Sequence, residues 1–219
     1  SKANNYLASV FVERDRAGIA YADVSTGECA VTEVPVSELE CELGRLSPAE
    51  LLVAASDDRW EQTQWPLTHL DDYWYEADVS HRLLLDHFQV ATLEGFGCAG
   101  LPRAIAAAGA LIHYLGETQK ESLKQMAGLS TYSTSSYMTL DGQTIRNLEL
   151  FEGGRWGTAE LSLLSILDET RTAMGGRLLR NWLGRPLRDL DALRGRQAMV
   201  GWFHDSSLRR EETRHALAG

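Results

Sequence analysis

Residues 95–126, GFGCAGLPRAIAAAGALIHYLGETQKESLKQM, limit the possible folds of this chain more than any other stretch. Pro102 stands where a helix can begin, because a first-turn proline forfeits no intrahelical hydrogen bond and its φ already suits the helix. Ile105, Ala108, Ile112, Leu115, Gln119, Ser122 and Met126 then recur at spacings of three and four, which is one stripe of a helix. The stripe is mostly apolar to Leu115 and mixed after Thr118, where Glu117, Lys120, Glu121 and Lys124 mark a solvated end. Unbroken to Met126, such a helix would be about 37 Å long at about 1.5 Å per residue. The expectation is one half buried in a domain and the other half a strut leaving it. Ala106, Ala107, Ala108, Gly109 and Ala110 let another backbone come close. Gly109 costs about 1 kcal/mol of helix propensity against alanine, so packing is the reason expected for it.

The same run spells G-x-G-x-x-G at Gly95, Gly97 and Gly100. That pattern cradles a dinucleotide only after a strand, with a second strand and an acid some 20 residues on. Here residues 78–88 read as helix, and the acid at the right distance, Glu117, lies inside the long helix. A glycine-rich turn between helices is the better reading.

With 219 residues and 44% hydrophobic content, the chain has room for one large domain or two small ones and is far from disorder. No apolar run approaches the ~20 residues of a membrane span, and the N-terminus has no charged-then-apolar signal pattern. Cys29, Cys41 and Cys98 are scattered, as in a cytosolic protein with reduced thiols, and the six histidines form no ligand-spaced cluster. A cytoplasmic protein without a metal centre is expected. The net charge of −10 is uneven: residues 1–100 hold 6 Lys/Arg against 18 Asp/Glu, residues 101–219 hold 15 against 13. An acidic first half repels phosphate backbones. Between Arg155 and Arg196 lie eight arginines and five carboxylates, read as a solvated helix surface with ion pairs rather than a phosphate track.

Residues 6–12, 19–24 and 29–34 are rich in β-branched and aromatic side chains and predict an antiparallel meander. Its turns are expected at 15–18 and 25–27, each with a glycine for positive φ, Gly18 and Gly27. A helix over 37–46 follows, stopped by Ser47-Pro48, then a short strand over 50–54. Three antiparallel strands, a helix and a further strand point to an α/β layer with a mixed sheet. Residues 56–75 hold Trp60, Trp65, Tyr73, Trp74 and Tyr75 with few cations, and these are expected to cover a sheet edge. A helix over 78–88 with Asp78 as its N-cap comes next. Beyond Met126 a strand is expected at 137–140. Helices follow around Ile145, Leu148 and Phe151, around Leu161, Leu164 and Leu167, around Leu178, Leu179, Trp182 and Leu183, at 189–203 and at 207–217, with Pro186 as a break.

Asp23, ending a strand before Ser25-Thr26-Gly27, has the look of a metal site of ribonuclease H type or of the phosphate loop of actin-like kinases. Two-metal hydrolysis needs three or four converging carboxylates, and only Glu50 offers itself as a partner. A turn aspartate bonding its own backbone gives the same sequence without catalysis. There is no G-x-x-x-x-G-K-[ST] phosphate loop and no G-x-S-x-G elbow. Thr172-Ala173-Met174-Gly175-Gly176-Arg177 could face an anion with helix amides, but close helix packing is the expected use of its glycines.

Taken together, NNYLA from Asn4, GIAYADVSTGE from Gly18, LSPAELL from Leu46, LEGFGCAGLPRAIAAAGALIHYLGETQ from Leu93, YMTLDGQTIRNLELF from Tyr137 and TAMGGRLLRNWLGRPL from Thr172 resemble, in this order, the MutS family of DNA mismatch-repair proteins. The resemblance implies a ribonuclease H-like connector domain without catalytic carboxylates over residues 1–115. The end of a linking helix would occupy 116–130, and the first part of a helical core or lever domain 131–219. It implies a chain that starts after the mismatch-reading domain and ends before the DNA clamp and the ATPase. ATP and Mg²⁺, mismatched duplex DNA and self-association would then belong to the rest of the parent, with no cofactor in this stretch.

The implied work is non-catalytic coupling of mismatch binding to ATPase state, and docking of a MutL-type partner on the helix that carries His81, Arg82, Leu83 and Leu85. The competing reading is a stand-alone metal-dependent nuclease of ribonuclease H type using Asp23. Without partner helices from the parent, the leucine-rich faces after Asp141 are expected to be uncovered, either packed against a second copy or mobile.

Overall fold

A computed structural model describes residues 5–24, 26–60, 63–138, 140, 142–154 and 157–217. Its contacts divide the chain into two compact units, one of residues 5–134 and one beginning at Ser135.

The first unit is built on a meander of β1 (Tyr6–Glu13), β2 (Arg16–Asp23) and β3 (Glu28–Pro35), each antiparallel to the next. Helix α1 (Val36–Leu46) carries the chain to β4 (Glu50–Ala54), parallel to β1, and β5 (Leu67–Leu70) lies parallel to β4. The sequence reading has no strand in the place of β5, whose four residues Leu-Thr-His-Leu are too short to show a period. With β6 (Ser130–Thr131) parallel to β3, the sheet runs β5-β4-β1-β2-β3-β6.

Alternation along the strands makes two cores. Tyr6, Ala8, Val10, Ile19, Tyr21, Leu51 and Val53 face α1 and pack on its Leu39, Leu43 and Leu46. Leu7, Ala20, Ala22, Val31 and Leu52 face the other way, toward α2 (Ala77–Phe88) and α3 (Pro102–Thr118). Trp60 and Trp65 join the α1-side core on a face of the sheet, where the sequence reading has that aromatic stretch cover an edge.

Several local expectations change. The β1–β2 loop is only Arg14 and Asp15, since Glu13 pairs with Arg16, and the positive φ there is that of Arg14, at 58°. Gly18 therefore lies inside β2, where a Cβ would stand 2.0 Å from the carbonyl carbon of Arg103: it makes room for α3. Gly27 does turn the chain with φ 73°, while Ser25 is outside the described residues. Helix α2 starts after Glu76, which puts Asp78 in the first turn instead of at the cap. There a carboxylate still meets the positive end of the helix dipole.

The long helix does not run through to Met126. It ends at Thr118, Gln119 takes φ −142° and ψ 57°, and α4 (Lys120–Gln125) turns back. No strut leaves the unit at that point: Met126 and Leu129 are buried in the core under α2 and α3, and His87 Nε2 contacts the Met126 carbonyl at 3.1 Å. Tyr132, just past β6, donates to Glu42 at 2.6 Å, and Arg45 donates to both Glu42 oxygens, tying the end of the unit to α1.

In the second unit α5 (Gly142–Asn147), α6 (Leu163–Leu167), α7 (Ala173–Gly184), α8 (Leu190–His204) and α9 (Ser207–Leu217) fall near the expected places. The strand expected at 137–140 is a single antiparallel bridge, Tyr137 to Leu187, with Thr139 outside the described residues. Thr172 caps α7 by accepting the Gly175 amide at 3.0 Å, and Asp189 caps α8 by accepting that of Ala192 at 2.7 Å. Large apolar side chains are uncovered, as expected: Ile166, Met174, Leu190, Met199, Val200 and Leu208 are each at least 60% exposed.

Candidate partner-docking surface

Helix α2 is fixed by its inner face. Ser80 and Leu84 are fully buried, and the Ser80 side lies so close to α3 that a Cβ on Gly109 would stand 2.3 Å from the Ser80 Cβ. Gly109 thus does what its poor helix propensity suggested, admitting a neighbouring helix. The opposite face is presented to solvent. His81 and Arg82 are exposed, Leu83 is half-buried, and Leu85 is half-buried with part of its surface on the core. Of the four residues expected to dock a partner, His81 and Arg82 are the most available, and Leu85 is partly occupied by packing.

The carboxylate pair of the nuclease reading is separated by the sheet itself. Asp23 stands opposite Tyr6 in the β1–β2 ladder, and Glu50 opposite Leu7 in the β1–β4 ladder. Tyr6 and Leu7 point to opposite faces, so Asp23 lies on the α1 side and Glu50 on the α3 side. Glu50 accepts from Tyr114 at 2.7 Å and Thr68 at 2.6 Å. The backbone carbonyl of Asp23 receives the amides of Thr26 and Gly27, closing the turn that follows β2. Among the described residues no three Asp, Glu, His or Cys side chains converge as a metal-binding group.

The other motifs also resolve into structure. Gly97 ends a short helical turn with φ 74°, and the G-x-G-x-x-G run lies between α2 and α3 instead of after a strand, the turn between helices that was expected. Five of the second-half arginines are engaged with rings or acids, Arg155 lying outside the described residues. Arg180 stacks on Phe151 at 4.2 Å, Arg196 on Trp182 at 4.0 Å and Arg209 on Trp202 at 4.6 Å, while Arg194 pairs with Asp191 and Arg214 with Glu169. Burial lowers the pKa of Arg180, against the pull of Glu152.

One arrangement has no signal in the sequence. Glu33, on β3, accepts the amides of Arg103 and Ala104 at the start of α3, and so caps a helix it does not belong to. Beside α2, Trp74 stacks on His113 at 3.5 Å, with Tyr73 edge-on at 5.0 Å. Burial lowers the pKa of His113 below its ordinary value, partly opposed by Glu117.

Comparison with known proteins agrees with these two units. The family model described as MutS domain II matches residues 5–127, and that described as MutS domain III matches residues 143–219. A DNA mismatch repair protein MutS of Dehalococcoides mccartyi is 43% identical over 99% of this chain and 26% of its own length. One from Thermosynechococcus vestitus is 41% identical over 98% of this chain and 26% of its own, and one from Chloroflexus aurantiacus 38% over 99% and 27%. The chain spans about a quarter of the length of the curated relatives it matches. Among the described residues no helix is long and apolar enough to cross a membrane.

Proposed function

This chain belongs to the MutS family of DNA mismatch-repair proteins, and from that premise we propose that it is the connector and the beginning of the core of such a protein, a non-catalytic part that couples mismatch binding to ATPase state and docks a MutL-type partner. The observation that carries the reading is the order of the two family matches along two units that each have their own contacts. A meander followed by parallel strands supports a ribonuclease H-like connector. Asp23 and Glu50, on opposite faces of the sheet, favour a connector without chemistry over a nuclease.

Mismatched duplex DNA, ATP with Mg²⁺ and self-association are assigned to the remainder of the parent, in the cytoplasm. The G-x-x-x-x-G-K-[ST] loop that would cradle the nucleotide's phosphates is missing from the present sequence.

Docking is assigned to the solvent face of α2, where Arg82 offers a charge and Leu83 an apolar contact. The test is binding of a MutL-type protein to the parent with Arg82→Glu and, separately, Leu83→Glu. At least ten-fold weaker binding is expected, and unchanged binding by both variants would remove the proposal. Assay of this chain with Mg²⁺ or Mn²⁺ on nucleic acid, beside Asp23→Asn, decides the nuclease reading. No Asp23-dependent cleavage is expected.

A further inference from the structure

The sheet has an open edge at β5. The amide of Leu51 donates to the Pro66 carbonyl at 2.9 Å and that of Ala55 to the Leu70 carbonyl at 2.8 Å, in a register that pairs Leu51 with Leu67 and Val53 with His69. In a parallel ladder this turns the groups of residues 66, 68 and 70 toward β4 and leaves those of Leu67 and His69 facing outward. Among the described residues no other strand pairs with that side. The edge is held firmly, since the Thr68 hydroxyl is bonded to Glu50 at 2.6 Å and Leu67 packs on the α1-side core.

Its C-terminal end is strongly acidic. Asp71 and Asp72, which directly follow Leu70, are exposed there, and Arg59, after β4, is paired with Asp57 at 2.7 Å. Tyr73 follows, 51% exposed. Asp71 accepts the Tyr73 amide and Asp72 the Ser56 amide, and among the described residues no cation is paired with either. Outward donors and acceptors beside such carboxylates are what an extended cationic chain would satisfy, with main-chain bonds supplying affinity and the acids selecting the sign of charge.

We propose that the outer edge of β5 takes an extended, lysine- or arginine-bearing segment of a partner protein as an added strand, bonded to Leu67 and His69 with its cations against Asp71 and Asp72. This surface is independent of the docking assigned to α2. Strand addition at an exposed edge needs no rearrangement of the sheet.

The experiment is an NMR titration of the whole 219-residue chain with an acetylated peptide alternating valine and lysine over eight residues. Saturable shifts are expected at the Leu67 and His69 amides, with their hydrogen exchange slowed at least ten-fold. Two copies of the peptide, N-methylated at alternate residues in opposite phases, report on the backbone. One of them should bind at least ten-fold more weakly. A copy with glutamate in place of lysine should also lose at least ten-fold. His69→Pro removes an outward N–H and no bond to β4, and should weaken the lysine peptide at least ten-fold with the rest of the spectrum unchanged. The proposal is overturned if the lysine peptide leaves these amides unmoved at millimolar concentration, if both methylated copies bind like the parent peptide, or if the glutamate copy binds equally well. The methylated peptides keep the test decisive should His69→Pro fail to fold.

Discussion

Glu33 caps a helix distant from it in the chain, its Oε1 accepting the amide of Arg103, 70 residues on, at 2.8 Å. It can do so because its ladder partner is Gly18, which has no Cβ to hold the first turn of α3 away. The carboxylate is 4% exposed, and the Arg103 guanidinium bridges it to Glu13, at 3.6 Å and 2.9 Å respectively. Glu33→Gln keeps an acceptor and gives up the charge at the helix N-terminus, and should cost about 1 kcal/mol. Glu33→Ala also leaves buried amides unpaired and should cost about 2 kcal/mol. Urea unfolding followed by far-UV circular dichroism gives both values, and a neutral Glu33→Ala would show the cap to be idle.

Two helical glycines should respond to alanine with opposite signs. Gly44 is exposed on α1, and a Cβ there meets nothing within 4 Å, so Gly44→Ala should stabilise by about 0.5–1 kcal/mol through propensity alone. At Gly109 the same gain is outweighed, because the new methyl would stand 2.3 Å from the Ser80 Cβ and force α2 from α3. Overpacking of this kind costs about 1–3 kcal/mol, so a net loss is expected. The two midpoints, measured side by side, check the sign of each.

The three thiols should divide by position. Burial pushes the Cys29 thiol up to about 12, with Glu28 adding to the effect, and burial also raises Cys98. Cys41 is half-exposed on α1. At pH 8 a disulfide reagent should therefore titrate one thiol quickly in the native chain and three in denaturant, and Cys41→Ser should abolish the fast reaction. Fast modification of Cys29 in the native protein would contradict its burial against α3.

Much of the first unit can be read from the chain because its determinants are local. The β-branched and aromatic runs mark the meander, Pro102 marks the start of α3, and Gly109 stands out as a helix residue chosen for packing. What escapes is decided at a distance. Nothing at Gln119 breaks a helix; the break follows from the burial of Met126 and Leu129 and the anchoring of β6 on β3. The strand β5 is made by its register on β4, and the cap of α3 comes from β3. The resemblance could put the candidate docking residues on a helix, but only packing shows that Leu85 is half spent and Arg82 is not. The separation of Asp23 from Glu50 follows from alternation once the register is known, and the register itself is not written in the sequence.

The stack of His113 on Trp74 should give the first unit a weak acid sensitivity. Burial disfavours the imidazolium, so the folded state holds His113 with a pKa below the ordinary 6.5, while the unfolded chain restores it. Between those two values the unfolded state binds more protons, and stability then rises with pH. The contribution is present in full above about pH 6.5 and declines as the pH falls from there through the folded pKa. His113→Phe keeps a flat ring against Trp74 and removes the titration. Thermal midpoints at pH 7.5 and 5.5 should therefore differ less in the variant than in the native chain. An equal difference in both proteins would assign the acid sensitivity to other groups.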